Sequence, residues 1–226
     1  MTKKKLAVLD IDDTLTKSGE KHTKSLLFAM KHFGITQVDT DWRNYKNAAD
    51  SYIFSVNYEK THGKDFSFDL IPEFEEIMTE HFLTFPDTTE ITGAQKALQS
   101  LIQDSNYAIC FATGSILQPA LLKLQQALIT MIPEILESSN TIFAREDIVT
   151  SAIQKAKKYY HVDSFDTIIS FGDALWDVTT AKNLGIHFVG VNEKNSNDFN
   201  KMKVKHHIKD WTEFDLLETE KKLGIK

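Results

Sequence analysis

Apolar residues fall in two kinds of run along this chain. Five short stretches are nearly continuous in β-branched and other apolar side chains: KLAVLDI (5–11), YAICFAT (107–113), NTIFA (140–144), DTIISFGD (166–173) and HFVGVN (187–192). Continuous rather than alternating apolar character marks strands covered on both faces, as in a parallel sheet flanked by helices. Between them the apolar positions recur at helical spacing. Thr92 reads as the N-cap of a helix carrying Ala94, Ala97, Leu98, Leu101 and Ile102. After Asp147 the pattern repeats in Ile148, Ala152, Ala156, Tyr159 and Tyr160. Strand and helix in alternation predict an α/β fold with a doubly wound parallel sheet.

One interval breaks this rhythm. The first strand ends near Asp12 and the second begins near Tyr107, and residues 17–85 carry no buried-strand pattern. Three amphipathic helices fit there, over about 22–33, 41–60 and 69–83. The interval reads as a small helical domain hinged on the sheet's edge. Residues 1–16 and 86–226 would then form the α/β core and 17–85 the helical insert, with Pro86 and the following DTTE marking the return. A length of 226 residues suits one domain with a generous insert.

Composition narrows the partners. Hydrophobic residues at 42% and charged ones at 26% are ordinary for a globular protein and exclude a disordered chain. A net charge of −6 leaves no footprint for nucleic acid. No apolar run reaches the ~18 residues of a membrane span, so neither nucleic acid nor membrane is expected as a partner. Lys3, Lys4 and Lys5 precede three aspartates rather than a cleavable apolar stretch. The single Cys110 forbids an internal disulfide and reads as a buried hydrophobe, and a cytoplasmic protein is expected. The basic run KMKVKHHIK (201–209), with His206 and His207, reads as exposed surface. Monomer and homodimer both stay open.

Three segments carry candidate chemistry. Asp10-Ile11-Asp12-Asp13-Thr14 follows an apolar run, and carboxylates at the carboxyl end of a parallel strand sit in the crevice where α/β folds bind ligands. Extended chain puts Asp10 and Asp12 on one side, ~7 Å apart, where they repel unless a cation holds them; all-oxygen ligands favour magnesium. An aspartate-rich turn capping a helix is the plainer reading. Gly172-Asp173-Ala174-Leu175-Trp176-Asp177 repeats the theme: Gly172 turns the chain, Asp173 points into the same crevice, and Asp177 follows on the same face of a starting helix. Thr113-Gly114-Ser115 closes the second strand, YAICFA, and could hold a phosphate on its backbone N–H groups, or Thr113 could be only an N-cap.

Taken in order, Asp-x-Asp-x-Thr, a strand-end Thr-Gly and Gly-Asp-x-x-x-Asp resemble the haloacid dehalogenase-like (HAD) hydrolase superfamily, and GDALWDVTTAKNLGIHFVGV resembles its phosphatase branch. The resemblance implies a HAD-like core with a helical cap and hydrolysis of a small phosphorylated metabolite. It implies Asp10 as nucleophile and Asp12 as general acid/base. Magnesium would be held by the Asp10 carboxylate, the Asp12 carbonyl and Asp173, with Asp177 completing or orienting the shell. Thr113 and Gly114 would bind the phosphoryl group. The family also places a lysine beyond the third strand. Here NTIFA is followed by Arg145, and the first lysine is Lys155, about seven residues and so ~10 Å into the helix that follows. Arg145 is the better candidate, with Lys155 as the alternative. The cap aromatics Trp42, Tyr45, Tyr52, Phe54 and Tyr58 read as cap core before substrate pocket. A phosphomutase or phosphonate-cleaving relative shares these motifs, and a non-catalytic phosphate-dependent module is the reading from another class.

Overall fold

The computed structural model describes residues 3–104 and 106–225. Among them six parallel strands form one sheet in the order β3-β2-β1-β4-β5-β6. They are β1 (Lys5–Leu9), β2 (Tyr107–Ala112), β3 (Leu136–Glu137), β4 (Thr167–Gly172), β5 (His187–Val191) and β6 (His207–Ile208). Leu6, Ala7, Val8 and Leu9 of β1 are buried, as are all six residues of β2, so the central strands are covered on both faces. The covering helices run from α4 (Ala94–Gln103) onward: α5 (Leu117–Gln126), α6 (Arg145–Tyr160), α7 (Leu175–Leu184), α8 (Ser196–Lys201) and α9 (Leu216–Leu223). No helix among the described residues is long and apolar enough to cross a membrane.

Between β1 and β2 stand three further helices, α1 (Gly19–His32), α2 (Asp50–His62) and α3 (Ile71–Phe82). They close over an apolar cluster of their own, built on Leu26, Met30, Phe54, Phe74 and Met78. The Phe54 and Phe74 rings stack with centroids 4.1 Å apart, and burying each such ring stabilises the fold by about 2–3 kcal/mol. The chain enters this insert from β1, which lies in the middle of the sheet. The insert therefore stands over the carboxyl end of the central strands rather than on a lateral edge.

Three local readings are corrected. NTIFA (140–144) is a loop, and the third strand lies upstream at Leu136–Glu137, only two residues long. Its apolar side chains serve the insert: Phe143 packs against Tyr52, Phe66 and Phe68, and the Ser51 hydroxyl donates to the Ile142 carbonyl. Helix α4 starts after Gly93, at φ 86°, and not after Thr92. The basic tail holds β6: His206 and Ile208 are buried while Lys203, Lys205 and Lys209 are exposed, the alternation of an edge strand.

Candidate active site

Strand β1 delivers Asp10 to the carboxyl edge, where its amide donates to the Phe171 carbonyl of β4 at 3.0 Å. The chain then folds back at once. The amides of Leu15 and Thr16 both donate to the Ile11 carbonyl, and Asp13 turns through the left-handed region at φ 52°. Trp211 supports this loop from below through its indole N–H, 2.7 Å from the Thr14 carbonyl. Asp10 and Asp12 consequently line one cavity of about 590 Å³, together with Thr113, Gly114, Arg145 and Asp173. The insert contributes Trp42, Asp50 and Ile53 to its opposite wall.

Strand β4 ends in Gly172, and Asp173 follows it directly. A Cβ on Gly172 would lie 2.6 Å from the Asp177 Cβ, so only glycine lets α7 start this close. Asp177 accepts from the Ala174 amide at 3.2 Å and receives the Arg145 guanidinium at 2.5 Å. The same Arg145 nitrogen lies 3.2 Å from Asp10 Oδ1. Arg145 is the first residue of α6 and is buried. Lys155 turns the other way, donating to the Leu136 carbonyl at 2.8 Å and pairing with Glu137.

Carboxylate oxygens of Asp10, Asp173 and Asp177 all lie within 4.8 Å of one another. One arginine does not balance them. Burial, reinforced by Asp177 and only partly offset by Arg145, pushes the Asp10 carboxyl up to about 7. Asp173 is raised well above the usual carboxylate range, by burial first and then by Asp177 and Asp10. Such an oxygen-only donor set with unbalanced charge suits a small hard cation, and Asp177, already engaged by Arg145 and Ala174, suits orientation of the shell.

Asp12 has the opposite surroundings. Burial works against its ionisation, but the Lys123 ammonium at 2.8 Å and the Ser18 hydroxyl at 2.6 Å outweigh burial and hold the carboxyl down at about 2. Lys123 comes from α5 and is fully buried.

The Thr113 loop is not a helix cap, since α5 begins only at Leu117. The Thr113 amide donates to Glu137, and its hydroxyl accepts from the Ser115 amide at 3.1 Å. Asp50, first residue of α2, clamps this loop from the insert. Its amide donates to the Gly114 carbonyl at 2.8 Å, and its Oδ2 accepts from the Ile116 amide at 3.0 Å. A Cβ on Gly114 would fall 2.4 Å from the Ala48 carbonyl oxygen, so a side chain there would prevent this docking.

The structure thus gathers Asp10, Asp12, Thr113, Gly114, Arg145, Asp173 and Asp177, and leaves Lys155 outside. Sequence reasoning missed Lys123, His22, Asp50 and Ser18. Lys123 did leave a trace: helical spacing puts it on the buried stripe of α5 with Pro119, Ala120 and Leu124, an unusual place for a lone charge. Of the insert's aromatics, Phe54 is core whereas Trp42 faces the cavity.

Comparison with known proteins agrees with this architecture. A HAD hydrolase, family IA, variant 3 from Entamoeba histolytica superposes with a TM-score of 0.72 at 18% identity, covering 99% of this chain and 100% of the other. A hydrolase from Pseudomonas syringae gives 0.70 at 18% identity, covering 99% of each chain. CbbY from Rhodobacter sphaeroides, crystallised with phosphate, gives 0.70 at 14% identity, covering 97% of this chain and 99% of the other. No curated protein matches the sequence. The family model described as haloacid dehalogenase-like hydrolase matches residues 7–191, and this chain belongs to that family.

Proposed function

We propose that this chain is a magnesium-dependent hydrolase of small phosphomonoesters that works through an aspartyl-phosphate on Asp10, with residues 17–85 as a cap over the site. The observation that carries the reading is the separation of charge at the strand end: Asp10 sits 3.2 Å from Arg145 beside two more carboxylates, while Asp12 is held by Lys123 at 2.8 Å. One carboxylate is arranged to meet a cation and a phosphoryl group, the other to exchange a proton.

In the first half-reaction an Asp10 oxygen attacks phosphorus, the ester P–O bond breaks, and the leaving oxygen takes a proton from Asp12. In the second, ionised Asp12 takes a proton from water as the water oxygen attacks the same phosphorus. The Asp10–phosphorus bond then breaks, inorganic phosphate leaves, and Asp12 holds its proton again. The arrangement with Asp12 ionised corresponds to the second half-reaction. Arg145 and the Thr113–Gly114 loop face the phosphoryl oxygens, where catalysis is mostly positioning and charge neutralisation. Asp10, Asp173 and the Asp12 carbonyl would hold magnesium, with Asp177 orienting them. The ion, when bound, offsets the repulsion between nucleophile and phosphate. That CbbY has been crystallised with phosphate and with xylulose-(1,5)-bisphosphate supports a phosphorylated small molecule as the partner.

A panel of phosphorylated metabolites assayed with magnesium and with EDTA tests the reading. Phosphate release that EDTA silences and magnesium restores is expected. Undiminished hydrolysis in chelator, with metal verified as negligible, would defeat the metal requirement. Isomerised sugar phosphate without phosphate release would make the enzyme a mutase.

A further inference from the structure

The buried ammonium of Lys123 has three N–H donors and meets three acceptors: Asp12 Oδ2 at 2.8 Å, His22 Nδ1 at 2.7 Å and Ser115 Oγ at 3.1 Å. An ammonium has no lone pair, so His22 must accept at Nδ1 and carry its own proton on Nε2. That N–H faces Asp50 Oδ1 at 3.0 Å, and an ionised carboxylate only accepts. The direction of every bond in the chain is therefore fixed. His22 donates to Asp50, and Lys123 donates to His22 and to Asp12.

We infer that Asp50 is a positioning residue for the reaction. From the insert it sets the tautomer of His22, and through His22 it fixes the Lys123 ammonium against the acid/base Asp12. The role rests on the phosphatase reading, since it needs Asp12 to be the group that moves the proton. Asp50 and His22 stand on the insert, Lys123 and Asp12 on the sheet side. The second Asp50 oxygen is held by the Ile116 amide, so the carboxylate is oriented by the phosphate-facing loop itself. Docking of the insert thus completes the set of acceptors around Lys123. A buried ammonium short of an acceptor is costly, so the set favours one geometry for Asp12.

Asp50→Asn is the informative variant. Its amide oxygen keeps the Ile116 bond, but its NH₂ then faces His22 Nε2. The ring must accept there and carry its proton on Nδ1, donor against donor with Lys123. Nitrogen-15 spectra of histidine-labelled protein, with His22 assigned by its loss in His22→Gln, read the tautomer directly. The wild type should show Nε2–H and Asp50→Asn should lose that pattern, while kcat falls about tenfold or more with KM changed by less than about threefold. A wild-type His22 protonated on Nδ1, or on both nitrogens, would overturn the inference without any variant having to fold. A folded Asp50→Asn with altered tautomer and unchanged kcat would overturn it as well. A wild type inert towards every phosphomonoester would instead overturn the phosphatase reading, and the positioning role with it.

Discussion

Asp10 and Asp12 leave the same strand two residues apart and end in opposite electrostatic states. The Asp10 side gathers three carboxylates around one arginine, and its carboxyl is pushed up to about 7. The Asp12 side matches one carboxylate with one fully buried lysine, and the carboxyl falls to about 2. Separated values in neighbouring acids are the mark of divided roles. The difference also shows what each side lacks. Asp12 is balanced by the chain's own residues, whereas Asp10 is short of positive charge that a bound cation would bring. One half of the site is complete in the polypeptide, and the other is built to receive something.

The sharpest way to break the comparison is at Asp10, the proposed nucleophile. Asp10→Asn is nearly isosteric, but an amide does not attack phosphorus, so turnover should vanish in a folded protein; steady-state kinetics retaining wild-type activity would exclude the covalent route. Arg145 comes next. Loss of its charge beside the transferring phosphoryl group should lower kcat/KM about a hundredfold or more in Arg145→Ala. Lys155→Ala should change it less than about tenfold, because that side chain is spent on Leu136 and Glu137. The reverse ranking, with both variants folded, would hand the role to Lys155.

How far this site was legible follows from where its signals lie along the chain. Asp10 and Asp173 were readable because each ends an apolar run, and burial of β1 and β4 is written as continuous hydrophobic sequence. Arg145 was readable for a partly mistaken reason. The apolar NTIFA before it is the loop on which the insert rests, not a strand, yet it leads to the same edge of the sheet. The true third strand pairs only Leu136 with Phe111 and Glu137 with Ala112, too little to leave a pattern. Lys123 was illegible in its role. Its acceptors Asp12 and His22 lie 111 and 101 residues away, and only the folded chain brings them to one nitrogen.

The Asp12 side breaks through stability. Lys123→Met removes one partner of a buried pair and leaves Asp12 without its ammonium, which costs about 3 kcal/mol. In a chain of this size that is a fall in Tm of about 9 °C. Pairing it with Asp12→Asn should recover part of the loss, and simple additivity in that double-mutant cycle would show that the two residues do not interact.

The smallest effect separates the two sides by pH alone. In metal-free protein the folded Asp10 carboxyl titrates near 7 against an ordinary 3.8. Between those values the native state keeps a proton that the unfolded chain has released, so this contribution is full below about pH 4 and is lost as pH rises through 7. Asp173 is raised in the same direction and adds to the slope. Asp12 has the reverse sign: its folded value of about 2 makes its contribution present above about pH 4 and lost only as pH falls through 2, so it is constant from pH 5 to 8. Of the two aspartates only Asp10 therefore contributes drift in that window, and the histidines whose values burial lowers, His81, His187 and His206, contribute alike in wild type and in Asp10→Asn. Thermal melts should show the Tm of metal-free wild type falling about 5 °C further between pH 5 and 8 than that of Asp10→Asn. Magnesium should raise the wild-type Tm more at pH 8 than at pH 5, because binding needs the carboxylates ionised. Parallel slopes for the two proteins, with no gain from magnesium at either pH, would mean that Asp10 is balanced within the chain after all and that the two aspartates are not electrostatic opposites.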